Sequence, residues 1–255
     1  CGYEDISRKY GIPLIDLQKD GFQNVKAGDI NLKICNKVLE TDYLINIPVL
    51  KAHCQTLFTC ALKNIKGCIP DSEKRKFHVM GLHKPIAYLS LAVKPGLNIV
   101  DSLNGDLSYE EGGNPVQMDR IIVGKDPVLV DAYCASLIGY TADDIKYIRL
   151  AEQLGTGQAD LSGARIVEYN AELKNYSTFT PSRQAAVLAQ KIEALDACSA
   201  CYGSLIHALK RMEEKGLLNR IKGKIRIGQG YKGSSPAGIG IGSCTSGCSA
   251  YLKGC

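Results

Sequence analysis

Long apolar stretches are missing from this chain. No uninterrupted run approaches the roughly 18 residues that a membrane span needs, so the sequence contains no span to read. A strong charge of either sign is missing too. Lysine and arginine number 31 against 26 aspartates and glutamates, a formal excess of +5, which is mild for this length and too dispersed for a nucleic-acid footprint. No repeat of fixed period and no low-complexity tract occurs. Histidine is scarce, and apart from His207 it is confined to positions 53 to 83. Composition is otherwise globular, at 45% hydrophobic and 22% charged residues, with length enough for a sizeable core or two domains. The chain opens at Cys1 without methionine and stops at Cys255. Both ends therefore read as truncated, and the expected location is the cytoplasm, with room for a leader upstream.

Cysteine, by contrast, is abundant, with 11 in the chain. Disulfide frameworks belong to short secreted chains with little core, which this is not. Cys198-Ser-Ala-Cys201 precedes Leu205, Ile206, Leu209 and Met212, whose spacing is that of an amphipathic helix. Two thiols thereby fall at a helix N-terminus, where the backbone N–H groups favour thiolate. Cys244, Cys248 and Cys255 follow the strand-like GIGIGS. Zinc sites usually use two matched C-x2-C knuckles, whereas here the second pair is Cys244 with Cys255 or Cys248. A four-iron cluster accepts such uneven spacing more readily than one zinc ion. Nearby, Gly228-Gln-Gly230-Tyr-Lys-Gly233 matches a dinucleotide fingerprint, but Ser234-Ser235-Pro236 opens no helix, so a tight turn is the reading.

Short strands alternate with helical segments through the first two-thirds: an apolar run at 43–50, helical spacing at 55–67 and 83–96, a strand Leu97 to Asp101, and a strand Ile121 to Gly124. Asp126 and Pro127 are a helix start, and Thr141 with Asp144 has capping-box spacing. The pattern predicts an α/β fold with a mainly parallel layered sheet over residues 1–175 and a small C-terminal cysteine-rich iron–sulfur module over 176–255. A polar linker at about 170–182 separates them. In the last part, 183–195 and 204–216 read as helices and KIRIG as a strand.

The first domain has its own polar candidates. Lys51 and His53 follow a strand end, Lys63, Asn64 and Lys66 share a helix and its stop, and His78 and His83 bracket a loop. Asp101 leads an acid-rich loop with Asn104, Asp106, Glu110 and Glu111. Lys51, His53, His78 and Asp101 are the catalytic candidates, with a histidine as acid or base near neutral pH. The plainer alternatives are a helix cap for Asp126, a solvated loop for Lys74-Arg75-Lys76, and a structural role for His207.

The segments NIPVLKAHCQTLFTCALKNIKGCIP, FHVMGLHKPIAYLSLAVKPGLNIVDSL, EEGGNP and GKDPVLVDAYCASLIGY together resemble the bacterial and archaeal domain-of-unknown-function 362 family. The tail, CSAC then GIGIGSC then KGC, is similar to the iron–sulfur module found at the end of such proteins, and the likeness spans about residues 29 to 255. It implies a 4Fe-4S cluster held by Cys198, Cys201, Cys244 and Cys255; Cys248 falls outside that pattern and stands as an alternative to Cys255 for the fourth ligand. The cysteine order is also similar to that of proximal-cluster subunits of hydrogenases and respiratory complex I. Three functions follow as expectations. The first is redox or electron transfer with an unidentified redox partner or a small anionic substrate. The second is a non-redox lyase or isomerase acting on an anionic metabolite. The third is a zinc-stabilised binding module.

Overall fold

The computed structural model describes residues 2–108, 115–169 and 184–254. Helix α1 (Tyr3–Tyr10) leads to a hairpin of β1 (Phe22–Ala27) and β2 (Ile30–Cys35), then α2 (Asn36–Leu39). Next come β3 (Ile45–Asn46), β4 (Lys51–His53), β5 (Leu57–Thr59), α3 (Ala61–Asn64), α4 (Asp71–Val79) and α5 (His83–Ala92). The long strands β6 (Leu97–Asp106) and β7 (Pro115–Gly124) precede α6 (Pro127–Leu137) and α7 (Lys146–Gln153). The last part holds α8 (Gln184–Ala189), β8 (Ile192–Ala194), α9 (Ser199–Glu214), β9 (Ile225–Ile227), β10 (Ile239–Ile241) and β11 (Ala250–Leu252).

The class is α/β, and the parallel sheet lies in the last part. There the order is β11-β10-β9-β8, with every neighbouring pair parallel. The earlier sheet, β3-β6-β7, is mixed: β3 runs parallel to β6, whereas β6 and β7 form an antiparallel pair. Strands of three residues advance only about 10 Å, so the loops 228–238 and 242–249, each with one 3-10 turn, suffice to return the chain for the next parallel strand without an α-helix.

Two apolar clusters form. One gathers Phe58, Phe77, Leu89, Val100 and Tyr147, and the other Leu188, Ile206, Leu209 and Ile227. The expected boundary at 175/176 falls outside the described residues. So do Glu110, Glu111 and Cys255.

Three local expectations are corrected. Residues 55–67 are not one helix: Leu57–Thr59 pair with β4, and Leu57 takes φ 66°, which no helix accommodates. The segment 183–195 is split between α8 and β8. Strand β6 continues to Asp106, so Asp101 stands in mid-strand and not in a loop at its end. Two further readings shift: Lys74-Arg75-Lys76 is part of α4 and not a loop, and α7 begins at Lys146, beyond the Thr141–Asp144 turn. At α6 the local signal holds. Asp126 Oδ1 accepts from the N–H groups of Val128 and Leu129 at 2.8 and 3.1 Å, and Pro127 opens α6.

Candidate functional site

Because β8, β9, β10 and β11 are parallel, the turns after them share one edge of the sheet. After β8, residues Leu195 to Ala197 lead to Cys198, the N-cap of α9, and Cys201 lies in that helix's first turn. After β9, a turn at Gln229–Tyr231 folds back on the first: the N–H of Gln229 donates to Asp196 and that of Gly230 to Leu195, both at 3.1 Å. The Gln229 amide nitrogen also donates to Cys198 Sγ at 3.2 Å. After β10, the turn Ser243–Thr245 carries Cys244. It reaches the residues after β11, since Ser243 Oγ donates to the Gly254 carbonyl at 2.8 Å. The G-x-G-x-x-G stretch is thus a strand-end turn.

Glycine is required twice here. Gly228 has φ 124°, and a Cβ on it would collide with the Leu195 carbonyl. A Cβ on Gly240 would lie 2.9 Å from Cys248 Sγ and collide with Thr245. Cys248 is accordingly a buried side chain lying over β10, 7% exposed, whereas Cys198, Cys201 and Cys244 are half-buried at the strand-end turns and the start of α9. The described cysteines are all thiols. Among the described residues, no three His, Cys, Asp or Glu side chains are gathered closely enough to hold a single metal ion. The donor set is nonetheless of the kind a cluster uses, namely thiols beside a helix N-terminus and an amide N–H.

The second element of the site is the hairpin β4–β5. His53 is 3% exposed, and its Nδ1 accepts from the N–H groups of Gln55 and Thr56 at 3.1 and 3.2 Å. Burial pushes its pKa down to about 2, with repulsion from Lys63, Lys66, Lys51 and His78 adding to the effect. His78, in the last turn of α4, is held down to about 4, chiefly by burial and then by Lys66 and Lys63. Burial also lowers His83, helped by Lys146. These are neutral imidazoles, so the expectation of an acid or base titrating near neutrality does not describe His53 or His78. Lys51, His53 and His78 are brought together. Asp101 is not: it points to the outward face of its sheet, while its neighbours Val100 and Ser102 are buried.

Gln55 joins the two elements. Its amide nitrogen donates to the Ala197 carbonyl at 3.2 Å, and Ser199 Oγ donates to its carbonyl oxygen at 2.8 Å. A cleft of about 390 Å³ opens at this junction, lined by Gln55, His78, Met80, His83, Leu195 and Asp196 among others. Asp196 is itself in the left-handed region, at φ 53°. One residue past the cleft wall formed by Ala197 stands Cys198. Sequence reasoning missed Gln55 and Asp196; the role of Gln55 comes only from contacts more than 140 residues apart in the chain.

Deeper in the first core, the fully buried Asp131 on α6 caps α3. Its Oδ1 accepts from Ala61 N–H at 2.6 Å and its Oδ2 from Leu62 N–H at 3.1 Å. Desolvation pushes its pKa up to about 7 against those donors. Asn46 donates to Asn98 Oδ1 at 2.9 Å and accepts from Asn64 at 2.7 Å, fixing β3, β6 and α3 to one another.

No helix among the described residues is long and apolar enough to cross a membrane. No solved structure matches the chain. Among curated proteins, the thylakoid-associated protein sll1697 of Synechocystis sp. is 22% identical over 164 residues, which is 60% of this chain and 50% of that protein. The chain thus spans about half the length of this relative. A family profile described as a domain of unknown function, DUF362, matches residues 1–136, from α1 into α6 and ahead of the strand-end thiols. The chain belongs to the DUF362 family.

Proposed function

We propose that the protein binds a 4Fe-4S cluster at the strand-end edge of its parallel sheet and acts as an iron–sulfur oxidoreductase or electron carrier. The observation carrying this reading is that edge, where four parallel strands direct the segments bearing Cys198, Cys201 and Cys244 to one side. Gly254, whose carbonyl accepts from Ser243 in the same row of turns, immediately precedes Cys255. Those four cysteines would hold the group, and Cys248 is assigned to packing over Gly240. Such a cluster supplies one-electron transfer. The chain's own residues prepare for it: the Gln229 amide donates to Cys198 Sγ, and the start of α9 favours negative charge on Cys198 and Cys201.

The cleft beside Ala197 is the proposed place for the substrate or the partner's electron-delivering group. Lys51, Lys63 and Lys66 lie close enough to depress His53 or His78. Their field favours an anionic species approaching that side of the junction. Neutral, strongly depressed imidazoles support a lyase or isomerase less well, since such chemistry wants a group titrating near the working pH. The cytoplasm, where thiols stay reduced, is the proposed location.

Cys201→Ser tests the assignment. It is expected to remove the visible absorbance and the reduced-state EPR signal of anaerobically prepared protein, while Cys248→Ala keeps both. An unchanged spectrum in Cys201→Ser refutes the ligand set.

A further inference from the structure

The stretch Gly228-Gln-Gly230-Tyr-Lys-Gly233 opens no helix beyond the 3-10 turn Gln229–Tyr231, and its glycines serve a different contact. A Cβ on Gly228 would collide with the Leu195 carbonyl and lie 2.8 Å from the Ala197 backbone nitrogen. A Cβ on Gly230 would run into the Leu195 side chain and stand 3.2 Å from Asp196 Oδ2. Only glycine at both positions lets the turn pack backbone to backbone against residues 195–197. The N–H groups of Gln229 and Gly230 complete that join, donating to the carbonyls of Asp196 and Leu195 at 3.1 Å. Tyr231, 8% exposed, pins the turn from its other end, since its hydroxyl donates to the Glu193 carbonyl at 3.4 Å.

Between the two glycines stands Gln229, half-buried, with its side-chain nitrogen donating to Cys198 Sγ at 3.2 Å. Cys198 occupies the N-cap of α9, yet its side chain accepts no N–H of that helix. The sulfur takes this donor from the neighbouring turn instead. Holding a long glutamine in one conformation costs rotamer freedom. A bond from a neutral amide to a neutral thiol returns little, because sulfur is a weak acceptor. The same bond to a negatively charged sulfur is charge-assisted and far stronger. The contact therefore suits a Cys198 that carries negative charge, and it strengthens as that charge grows.

We propose that Gln229 sets the reduction potential of the group held by Cys198, raising it above the value the thiols alone would give. The inference rests on the cluster reading. Reduction adds one electron, supplied by the reductant, and the ligand sulfurs share the added charge. No bond breaks, and no proton leaves the amide. An N–H aimed at Cys198 Sγ interacts more strongly with the more negative state and so favours reduction. Gln229 acts through Cys198 and takes no part in accepting or passing the electron itself. The glycine-rich turn has the task of holding this one amide in place.

The test is an EPR-monitored redox titration with dithionite of the full chain, prepared anaerobically, with iron and acid-labile sulfide measured on every sample. Wild type is compared with Gln229→Met, which keeps the length and removes the donor, and with Gln229→Glu, which replaces the donor by an acceptor. Both variants are expected to keep the wild-type iron and sulfide content. At a fixed potential, Gln229→Met is expected to lower the reduced-to-oxidised ratio by up to about tenfold, which is about 59 mV for one electron, and Gln229→Glu to lower it further. Tyr231→Phe removes the bond to the Glu193 carbonyl from the same turn without touching the amide, and is expected to leave the potential where it is. An unmoved potential in Gln229→Met with its iron retained overturns this inference and leaves the cluster reading standing. An equal shift in Tyr231→Phe also overturns it, by assigning the effect to the turn as a whole. Loss of iron from Gln229→Met makes Gln229 a residue of assembly and overturns it likewise. Wild type without iron and sulfide overturns the cluster reading and this inference together.

Discussion

Replacing Asp131 by asparagine isolates the cost of a buried carboxylate. Its folded pKa is about 7 against an ordinary 3.8. The folded protein therefore holds a proton that the unfolded chain releases between those values. Stability falls as pH rises through that window, by about 4 kcal/mol at about 1.4 kcal/mol per unit. The asparagine side chain does not titrate. It keeps one oxygen for Ala61 N–H and loses the acceptor for Leu62 N–H, which costs about 1–3 kcal/mol at any pH. The difference between the two proteins is thus expected to change with pH: wild type is the more stable at about pH 4, the two are close at about pH 5, and by about pH 8.5 the variant has overtaken it by roughly 1–3 kcal/mol. Urea unfolding of both proteins across this range measures the difference directly, and groups common to both cancel. A difference that stays constant with pH would show that Asp131 is ionised throughout in the folded state, and would refute the reasoning from desolvation.

His53 slopes the other way. With a folded pKa of about 2 against 6.5 unfolded, the unfolded state takes up the proton first. Stability is fully present above the unfolded value and falls by about 2 kcal/mol between pH 6.5 and pH 5, a slope that His53→Asn should remove in the same urea series. Gln55→Ala removes bonds to Ala197 and Ser199 and is expected to cost about 1–2 kcal/mol, with hydrogen exchange rising at the start of α9. Unchanged protection there would argue against Gln55 as the joint. Gly228→Ala forces a side chain into φ 124° and against the Leu195 carbonyl. A loss of at least about 1–2 kcal/mol is expected, and a neutral result in thermal unfolding would contradict the turn geometry.

What the sequence makes legible is local. Asp126-Pro127 start a helix with groups two or three residues away, so the signal survives any tertiary context. The hairpin β1–β2 carries an equally local signal that the segment-by-segment reading leaves out, apolar alternation around the two-residue turn Gly28-Asp29. The strand β5 is hidden because its cause is not periodic: His53 Nδ1 collects the N–H groups that a helix through residues 55–67 would use differently. The parallel edge is hidden for another reason. Strands of three residues are too short to show a period, and only their pairing reveals that the turns carrying Cys198, Gln229 and Cys244 line up. Cysteine spacing identifies the thiols, whereas separating Cys248 from the others requires its position over Gly240. Asp101 is misplaced when a strand end is read where β6 runs on to Asp106.

Iron, acid-labile sulfide and zinc measured on anaerobically purified protein, with EPR before and after dithionite, test the central claim most directly. About four irons and four sulfides per chain with a reducible signal are predicted. One zinc per chain with no iron, persisting after anaerobic reconstitution, would contradict it.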